Sequence, residues 1–274
     1  MSESRGEVFY DEAKACLAYI QEPATAEFWD GLWDSQFETD LIKPFPRRGT
    51  FVSNATQKYL APGSHILEGG CGTAFHSRHL HSLGYRTIAL DFAPATVNRL
   101  SARLPEVNPV LGDVGSLPFR DGSLDGYWSL GVIEHFYDGY GKFLTEMARV
   151  VRPQGYVFVT FPYMSPLRRM LNRLNYYPPL QPQAIRKFYQ FALDPERVIK
   201  DFQSSHFTLI EQQPLLGLSG FEDTFPVFSR LFSLLRKKNV ACRSLNFLLN
   251  KLLQPWSGHM VLLVMQRQID SESG

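Results

Sequence analysis

Residues 65–81 read HILEGGCGTAFHSRHLH, and this stretch decides the fold. The apolar run His65–Leu67 predicts a short β-strand, and a helix is expected to begin at about residue 74. The turn between them contains three glycines, namely Gly69, Gly70 and Gly72. Glycine lacks a Cβ, so the turn can be tight and a ligand can approach its backbone closely. The unpaired N–H groups at the start of the helix add a polar binding site.

The glycine spacing distinguishes between two kinds of nucleotide-binding loop. A dinucleotide-binding loop needs G-x-G-x-x-G with a small third residue, and counting from Gly70 places the bulky Phe75 there. Counted from Glu68, the segment reads Glu-x-Gly-x-Gly-x-Ala. It resembles motif I of class I S-adenosylmethionine-dependent methyltransferases, acidic-x-Gly-x-Gly-x-Gly, with the small Ala74 in place of the third glycine. A purely structural glycine turn in another α/β protein is the alternative.

Two further predicted strands end in carboxylates. The apolar run Thr87–Asp91 follows the glycines by about twenty residues, which places Asp91 to accept hydrogen bonds from ribose hydroxyls. The run Val110–Val114 predicts a third strand near Asp113. The resemblance implies that Asp113 binds the adenine amino group and that Val114 packs near the ring. The alternative for Asp113 is a turn cap.

Residues 117–136, LPFRDGSLDGYWSLGVIEHF, carry a second match. They are similar to the L-P-F…F-D…G-V-L-E-H run of the small-molecule branch of these methyltransferases, called type 11. Leu124–Leu130 is the predicted fourth strand, and the resemblance places its end beside the methionine part of the cofactor. The predicted cofactor-binding residues are Glu68, Gly70, Gly72, Asp91, Phe92, Asp113, Val114, Leu130 and Gly131.

The predicted catalytic residues lie in the same run, residues 117–136. Glu134 and His135 would start the next helix close to the sulfonium, and His135 is the candidate general base because imidazole titrates near neutral pH. A structural role for both is the alternative. We expect Tyr137, Tyr163 and Tyr189 to line the acceptor pocket. No metal site is expected, because the histidines at 76, 79 and 81 have no matching carboxylate or thiolate.

Composition limits the other possibilities. The 274 residues suffice for one large α/β domain with insertions, and 44% hydrophobic residues is typical of a globular protein. A net charge of +1 gives no global attraction to nucleic acid. The three cysteines are far apart, which argues against a disulfide scaffold and favours a reducing, cytoplasmic location. We see neither a signal peptide nor a membrane span.

The chain is expected to divide into three parts. Residues 1–50 are predicted to form a helical lid, with one helix over Phe9–Ile20 and a second amphipathic piece at Phe28–Trp33 whose tryptophans either cover the cofactor or serve as packing anchors. Residues 51–163 would form the cofactor-binding core. Residues 164–274 would complete the sheet with strands six and seven and form a cap from helical insertions.

The insertion at Phe225–Leu253 reads as two basic amphipathic helices. They could pack on the sheet edge with a solvated charged face, form a lid over an anionic or lipid-linked acceptor, or contact an anionic membrane surface.

The sequence therefore predicts an α/β fold with a Rossmann-like, doubly wound, seven-stranded sheet and a helical cap. The resemblance implies S-adenosylmethionine as cofactor and methyl transfer to an oxygen or nitrogen of a small molecule. A tRNA or rRNA methyltransferase is one rival, although no RNA-binding module is recognisable. A catalytically silent cofactor-binding scaffold is another. The sequence does not define the oligomeric state.

Overall fold

The computed structural model describes residues 6–228 and 240–269. The described strands are β1 (Glu7–Asp11), β2 (Cys16–Ile20), β3 (His65–Gly69), β4 (Arg86–Asp91), β5 (Pro109–Leu111), β6 (Leu124–Leu130), β7 (Val151–Pro162), β8 (Phe188–Ala192), β9 (Phe207–Leu215) and β10 (Met260–Arg267). The described α-helices are α1 (Ala26–Ile42), α2 (Phe51–Tyr59), α3 (Phe75–Ser82), α4 (Pro94–Arg103), α5 (Gly141–Val150), α6 (Pro166–Arg173), α7 (Pro195–Ser204), α8 (Gly217–Thr224) and α9 (Val240–Ser257).

Seven strands form the main sheet in the order β5-β4-β3-β6-β7-β10-β9. The first five are parallel to their neighbours, and β10 runs antiparallel between β7 and β9. The chain proceeds from β3 outward to β5, then returns to β6 on the other side of β3. This reversal is the topological switch point at which doubly wound sheets bind ligands. The predicted fold class is confirmed.

The central strands are buried on both faces, as parallel sheets require. In β6, Tyr127 packs into the core on one face with Leu67. Trp128 points to the other face and stacks on Phe158, with ring centroids 4.4 Å apart. Alternate residues of one strand therefore contribute to two hydrophobic cores, one on each face of the sheet. The carboxyl ends of the parallel strands lie together at one edge of the sheet.

The predicted helix over Phe9–Ile20 is wrong. This segment forms the antiparallel hairpin β1–β2, with Glu7 paired to Ile20. Strand β2 also pairs with β8, which gives a second, three-stranded sheet. The turn of the hairpin places Ala15 in the left-handed region, at φ 52°. Helical structure in the first fifty residues is instead provided by α1, within the described part of the chain.

A buried polar cluster ties this small sheet to the rest of the molecule. The guanidinium of Arg168, 1% exposed, donates to Asp223 Oδ2 at 2.8 Å. The same carboxylate oxygen accepts from the Tyr19 hydroxyl at 2.9 Å. Arg168 also donates to the carbonyl oxygens of Tyr163 and His259. The cluster therefore connects β2, α6, α8 and the start of β10.

The C-terminal insertion is described in part. Helix α9 contains the second predicted amphipathic helix, with Leu245, Leu248, Leu249 and Leu252. The first predicted helix, with Leu231, Phe232 and Leu235, lies outside the described residues, as do the basic residues at 230 and 236–238. No helix among the described residues is both long and apolar enough to cross a bilayer.

Candidate cofactor and acceptor site

A cavity of about 620 Å³ opens at the carboxyl edge of the parallel strands. Its size lies within the range of small-molecule sites. The cavity is lined by eight of the nine predicted cofactor-binding residues, namely Glu68, Gly70, Asp91, Phe92, Asp113, Val114, Leu130 and Gly131. The ninth, Gly72, belongs to the same loop and donates its N–H to Asp91 Oδ2 at 2.9 Å.

The glycine loop follows β3 in a conformation that few residues other than glycine adopt. Gly70 and Gly72 have φ of 74° and 51°. A Cβ on Gly72 would lie 2.8 Å from the ring of Trp33, so a side chain there would displace α1. Ala74, where the family pattern has glycine, also has a positive φ of 54° and is fully buried. The alanine therefore keeps the loop conformation at some cost in backbone strain.

Three carboxylates line the cavity and retain acceptor capacity. Asp91 Oδ1 accepts from the Ala93 N–H at 3.0 Å and Oδ2 accepts from Gly72. The Phe92 N–H also interacts with this carboxylate, which keeps a further lone pair. Asp113 follows β5 in a turn, where its Oδ1 accepts from the Gly115 N–H at 2.8 Å. Asp113 thus caps a turn and lines the cavity at once. The cavity wall is therefore rich in acceptors for hydroxyl and amino donors.

Glu68 supplies the third carboxylate. Its Oε2 accepts from both the N–H and the hydroxyl of Ser77, while among the described residues no donor contacts Oε1. Burial raises the pKa of Glu68 to about 7, against the lowering effect of the Ser77 hydrogen bonds. A cationic ligand group placed against Oε1 would favour the charged carboxylate.

Helix α1 forms an aromatic wall of the cavity. Trp29 and Trp33 stack with ring centroids 5.4 Å apart, and both line the cavity. The helix is fixed to the core by two carboxylates: Asp30 accepts from the N–H and hydroxyl of Thr96 on α4, and Asp40 accepts from the Thr73 hydroxyl. The tryptophans are therefore both packing anchors and cavity residues.

His135 also lines the cavity, beside this aromatic wall. Its ring packs edge-on against Trp29 and Tyr189, at centroid distances of 5.1 and 4.9 Å. Nδ1 lies 2.8 Å from the Tyr189 carbonyl oxygen. A carbonyl only accepts, so Nδ1 carries the proton and Nε2 is left as an acceptor. Burial lowers the pKa of His135 to about 4, which keeps the ring neutral near pH 7.

Glu134 is in a different environment. The segment Ile133–His135 is a single 3-10 turn, not the start of a longer helix, and it turns the Glu134 side chain into the interior at 1% exposure. Burial raises the pKa of Glu134 to about 8, so its carboxyl is protonated near pH 7 and poorly suited to accept a proton. The catalytic role predicted for Glu134 stays a prediction.

The three predicted acceptor tyrosines are placed differently from one another. Tyr189 contacts His135, while Tyr137 lines a second cavity of about 390 Å³ that shares Phe136 with the first. Neither Tyr163 nor Tyr189 is among the residues that line the two cavities. Tyr163 directly follows β7, its N–H donates to His259, and its side chain is 4% exposed.

Sequence reasoning missed some lining residues. Thr160 and Met260 reach the cavity from β7 and β10, because the last strand pairs beside β7, and no local signal indicates this placement. His76 lines the cavity, and its Nδ1 is buried with no partner among the described residues. No group of three or more potential metal-ligating side chains occurs in the part of the chain that the structure describes.

The site suits S-adenosylmethionine. The ribose hydroxyls, the adenine amino group and the methionine ammonium are all donors, and Asp91, Asp113 and Glu68 present free acceptors into one cavity. Fold and site together thus define the class of Rossmann-like methyltransferases that bind this cofactor.

Comparison with known proteins agrees with this class. Residues 67–159 match the family model described as a methyltransferase domain. A probable S-adenosylmethionine-dependent methyltransferase of Mycolicibacterium smegmatis is 31% identical over 172 residues, which cover 61% of this chain and 56% of the relative. The phthiotriol/phenolphthiotriol dimycocerosates methyltransferase of Mycobacterium tuberculosis is 36% identical over 113 residues, 40% of each chain.

A solved structure shows the same fold. A chain from the complex of the Haloferax volcanii Trm112 methyltransferase activator with a methyltransferase superposes with a TM-score of 0.57 at 16% identity, covering 89% of this chain and 98% of that one. By its fold and by the matches over residues 67–159, the chain resembles the class I S-adenosylmethionine-dependent methyltransferases. It spans about half the length of the first of these curated relatives and 40% of the second.

Proposed function

We propose that the protein transfers a methyl group from S-adenosylmethionine to an oxygen or nitrogen of a small, lipid-linked acceptor. The observation that carries the proposal is the composition of the main cavity. Its lining combines three carboxylates that keep free lone pairs with His135 and the α1 tryptophans. The lipid-linked class is supported by this apolar wall and by the name of the M. tuberculosis relative.

The bound cofactor would supply an electrophilic methyl group on its sulfonium sulfur, so the protein mainly has to align the acceptor and exclude water. The stacked Trp29 and Trp33 would cover the cavity as a lid. Nε2 of His135 would accept the hydrogen bond of the attacking hydroxyl or amine and orient its lone pair. A neutral imidazole suits this role, because it carries no positive charge to repel the sulfonium.

The pH dependence of turnover tests the role of His135. Its pKa of about 4 means that, at saturating cofactor, His135 should cause no loss of kcat between about pH 5.5 and pH 8, and kcat should fall as His135 becomes protonated, near pH 4. An ordinary exposed histidine would already lose activity between about pH 7 and pH 6. We expect His135→Ala to lower kcat roughly 100-fold. The matched control is His81→Ala, which removes an exposed histidine from α3.

An acceptor screen with tritium-labelled methyl donor tests the proposed function itself. Label should appear in the organic phase of a lipid extract or in defined small hydroxy and amino compounds, and it should disappear in the His135→Ala variant. Label recovered only in RNA would replace the proposal with the RNA-methylating alternative. Cofactor binding without transfer to any acceptor class would favour a silent scaffold.

A further inference from the structure

Helix α9 contacts α8 through a polar face, while several of its large apolar side chains are exposed. The face turned toward α8 is polar: Asn250 Oδ1 accepts from the Leu218 N–H at 3.1 Å, and the Ser257 hydroxyl donates to the Gly217 carbonyl at 2.8 Å. Gln254, on the same face, donates to the Pro214 carbonyl. The face that anchors the helix to the protein is therefore held by hydrogen bonds.

The close approach of the two helices explains why no apolar side chains are needed between them. A Cβ on Gly217 would lie 2.3 Å from the Gln254 nitrogen, and a Cβ on Gly220 would lie 1.8 Å from the Ser257 carbonyl oxygen. Both glycines on α8 thus allow direct backbone contact with α9. The apolar side chains of α9 are directed elsewhere.

They form a stripe on the outer face. Leu245, Leu248, Leu252 and Trp256 recur at helical spacing, which places them within one narrow arc. Their exposed fractions are 46, 53, 67 and 45%. An amphipathic helix normally buries its apolar face in its own protein. Among the residues that the structure describes, none covers this stripe, and an exposed apolar stripe marks an interaction surface.

The charge of the surrounding segment indicates the partner's chemistry. Residues 225–257 contain six basic residues, Arg230, Arg236, Lys237, Lys238, Arg243 and Lys251, and no Asp or Glu. The formal charge of this segment is therefore 6 − 0 = +6. Lys251 lies on α9 and is exposed beside the stripe. A Leu/Trp stripe within a strongly basic segment is the pattern of helices that lie in the interface of an anionic bilayer.

We propose that the outer face of α9 attaches the protein to an anionic lipid surface, with Leu245, Leu248, Leu252 and Trp256 inserted among the acyl chains. A second copy of the chain is a poorer partner, because it would bring together two copies of the exposed Lys251 and of the basic segment that adjoins α9 in the sequence. The attachment is independent of methyl transfer and does not rest on the proposed acceptor.

Vesicle co-sedimentation tests the attachment. The full chain should sediment with vesicles of mixed phosphatidylcholine and phosphatidylglycerol at low salt, far less at high salt, and little with phosphatidylcholine alone. We expect Leu248→Ser/Leu252→Ser to lower the partition coefficient by roughly tenfold or more. The matched control is Ile42→Ser/Ile210→Ser, which removes two exposed aliphatic side chains from α1 and β9 and should leave sedimentation unchanged.

Thermal melting of both double variants shows that each is folded. Three outcomes would overturn the attachment: no sedimentation with anionic vesicles, equal sedimentation with neutral vesicles, or equal loss in both double variants. Concentration-dependent dimers that disappear in Leu248→Ser/Leu252→Ser, without vesicle binding, would instead assign the stripe to a second copy of the chain.

Discussion

Replacing Asp91 with alanine is expected to weaken S-adenosylmethionine binding by about 100-fold or more. The side chain is 3% exposed; Oδ2 accepts from Gly72 in the glycine loop, and Oδ1 accepts from Ala93. The change would remove the carboxylate that we propose accepts from the ribose hydroxyls, and a hydrogen bond to a charged group contributes about 1.5–3 kcal/mol. It also leaves the N–H groups of Gly72 and Ala93 without their carboxylate, so the loop loses its fixed geometry.

Quenching of tryptophan fluorescence measures this effect, because Trp29 and Trp33 line the same cavity. Asp91→Asn should fall between the alanine variant and the unmodified protein, since the amide nitrogen cannot accept an N–H. Asp121→Ala is the control: its carboxylate pairs with Arg149 on the surface, and binding should change less than about twofold. Normal affinity in Asp91→Ala would show that the ligand does not contact this carboxylate.

The pKa of Asp91 is raised by burial, although the N–H groups of Ala93 and Gly72 partly offset the increase. The ribose hydroxyls donate, so the charged carboxylate binds them better than the protonated acid. Cofactor affinity should therefore decrease as the pH falls and Asp91 takes up a proton.

The second large effect is on stability. Asp223→Ala is expected to lower the free energy of unfolding by about 3 kcal/mol, because it leaves the fully buried guanidinium of Arg168 without its counterion. This loss lies at the lower end of the range expected for breaking a buried ion pair, since the Asp223 side chain is 30% exposed. Tyr19 also loses its acceptor, so the attachment of β2 to α8 is weakened.

Urea denaturation of paired variants measures the loss. Glu38→Ala, which breaks an exposed pair with Arg103, should cost less than about 1 kcal/mol. Arg168→Met/Asp223→Leu should recover much of the stability, because no uncompensated charge remains. Equal losses for Asp223→Ala and Glu38→Ala would contradict the account of this cluster.

The sign of the pH dependence follows from the pKa of Asp223. Burial alone would raise this pKa, but the charges of Arg168 and His259 and the hydrogen bonds from Tyr19 and Arg168 outweigh burial and lower it. Its stabilising contribution is therefore present above the ordinary aspartate value of 3.8 and is lost as the pH falls through the lowered pKa. The difference between Asp223→Ala and the unmodified protein should shrink in strong acid.

The convergence of the predicted cofactor residues on one cavity could be predicted because its signals are local. A strand, a glycine turn and a helix are adjacent in the chain, and β4 and β5 each lead directly to a carboxylate. Parallel strands bring their carboxyl ends to one edge, so Glu68, Asp91 and Asp113 converge without any knowledge of distant contacts.

The acceptor half could not be predicted in the same way. The hairpin over Glu7–Ile20 is stabilised by β8, more than 160 residues later, so its own apolar pattern did not distinguish strand from helix. Tyr163 looked like a pocket residue next to a strand end, but its N–H donates to the carbonyl oxygen of His259 and its hydroxyl lies against Gly258, both just before β10. These placements depend on which strands become neighbours, and that information is not local.

The exposed stripe of α9 shows a related limit. The spacing of Leu245, Leu248 and Leu252 correctly predicts an amphipathic helix, yet it does not say which way the apolar face points. The direction is set by Gly217 and Gly220 on α8. Because these residues have no Cβ, the backbone of α8 can contact the polar face of α9 directly.

Isothermal calorimetry of the unmodified protein with S-adenosylmethionine and S-adenosylhomocysteine tests the central claim most directly. The account predicts one-to-one binding of both ligands with micromolar dissociation constants, because the cavity presents acceptors to every donor group the two ligands share. Absence of binding heat for either ligand at millimolar concentration would contradict the assignment of this cavity as the cofactor site.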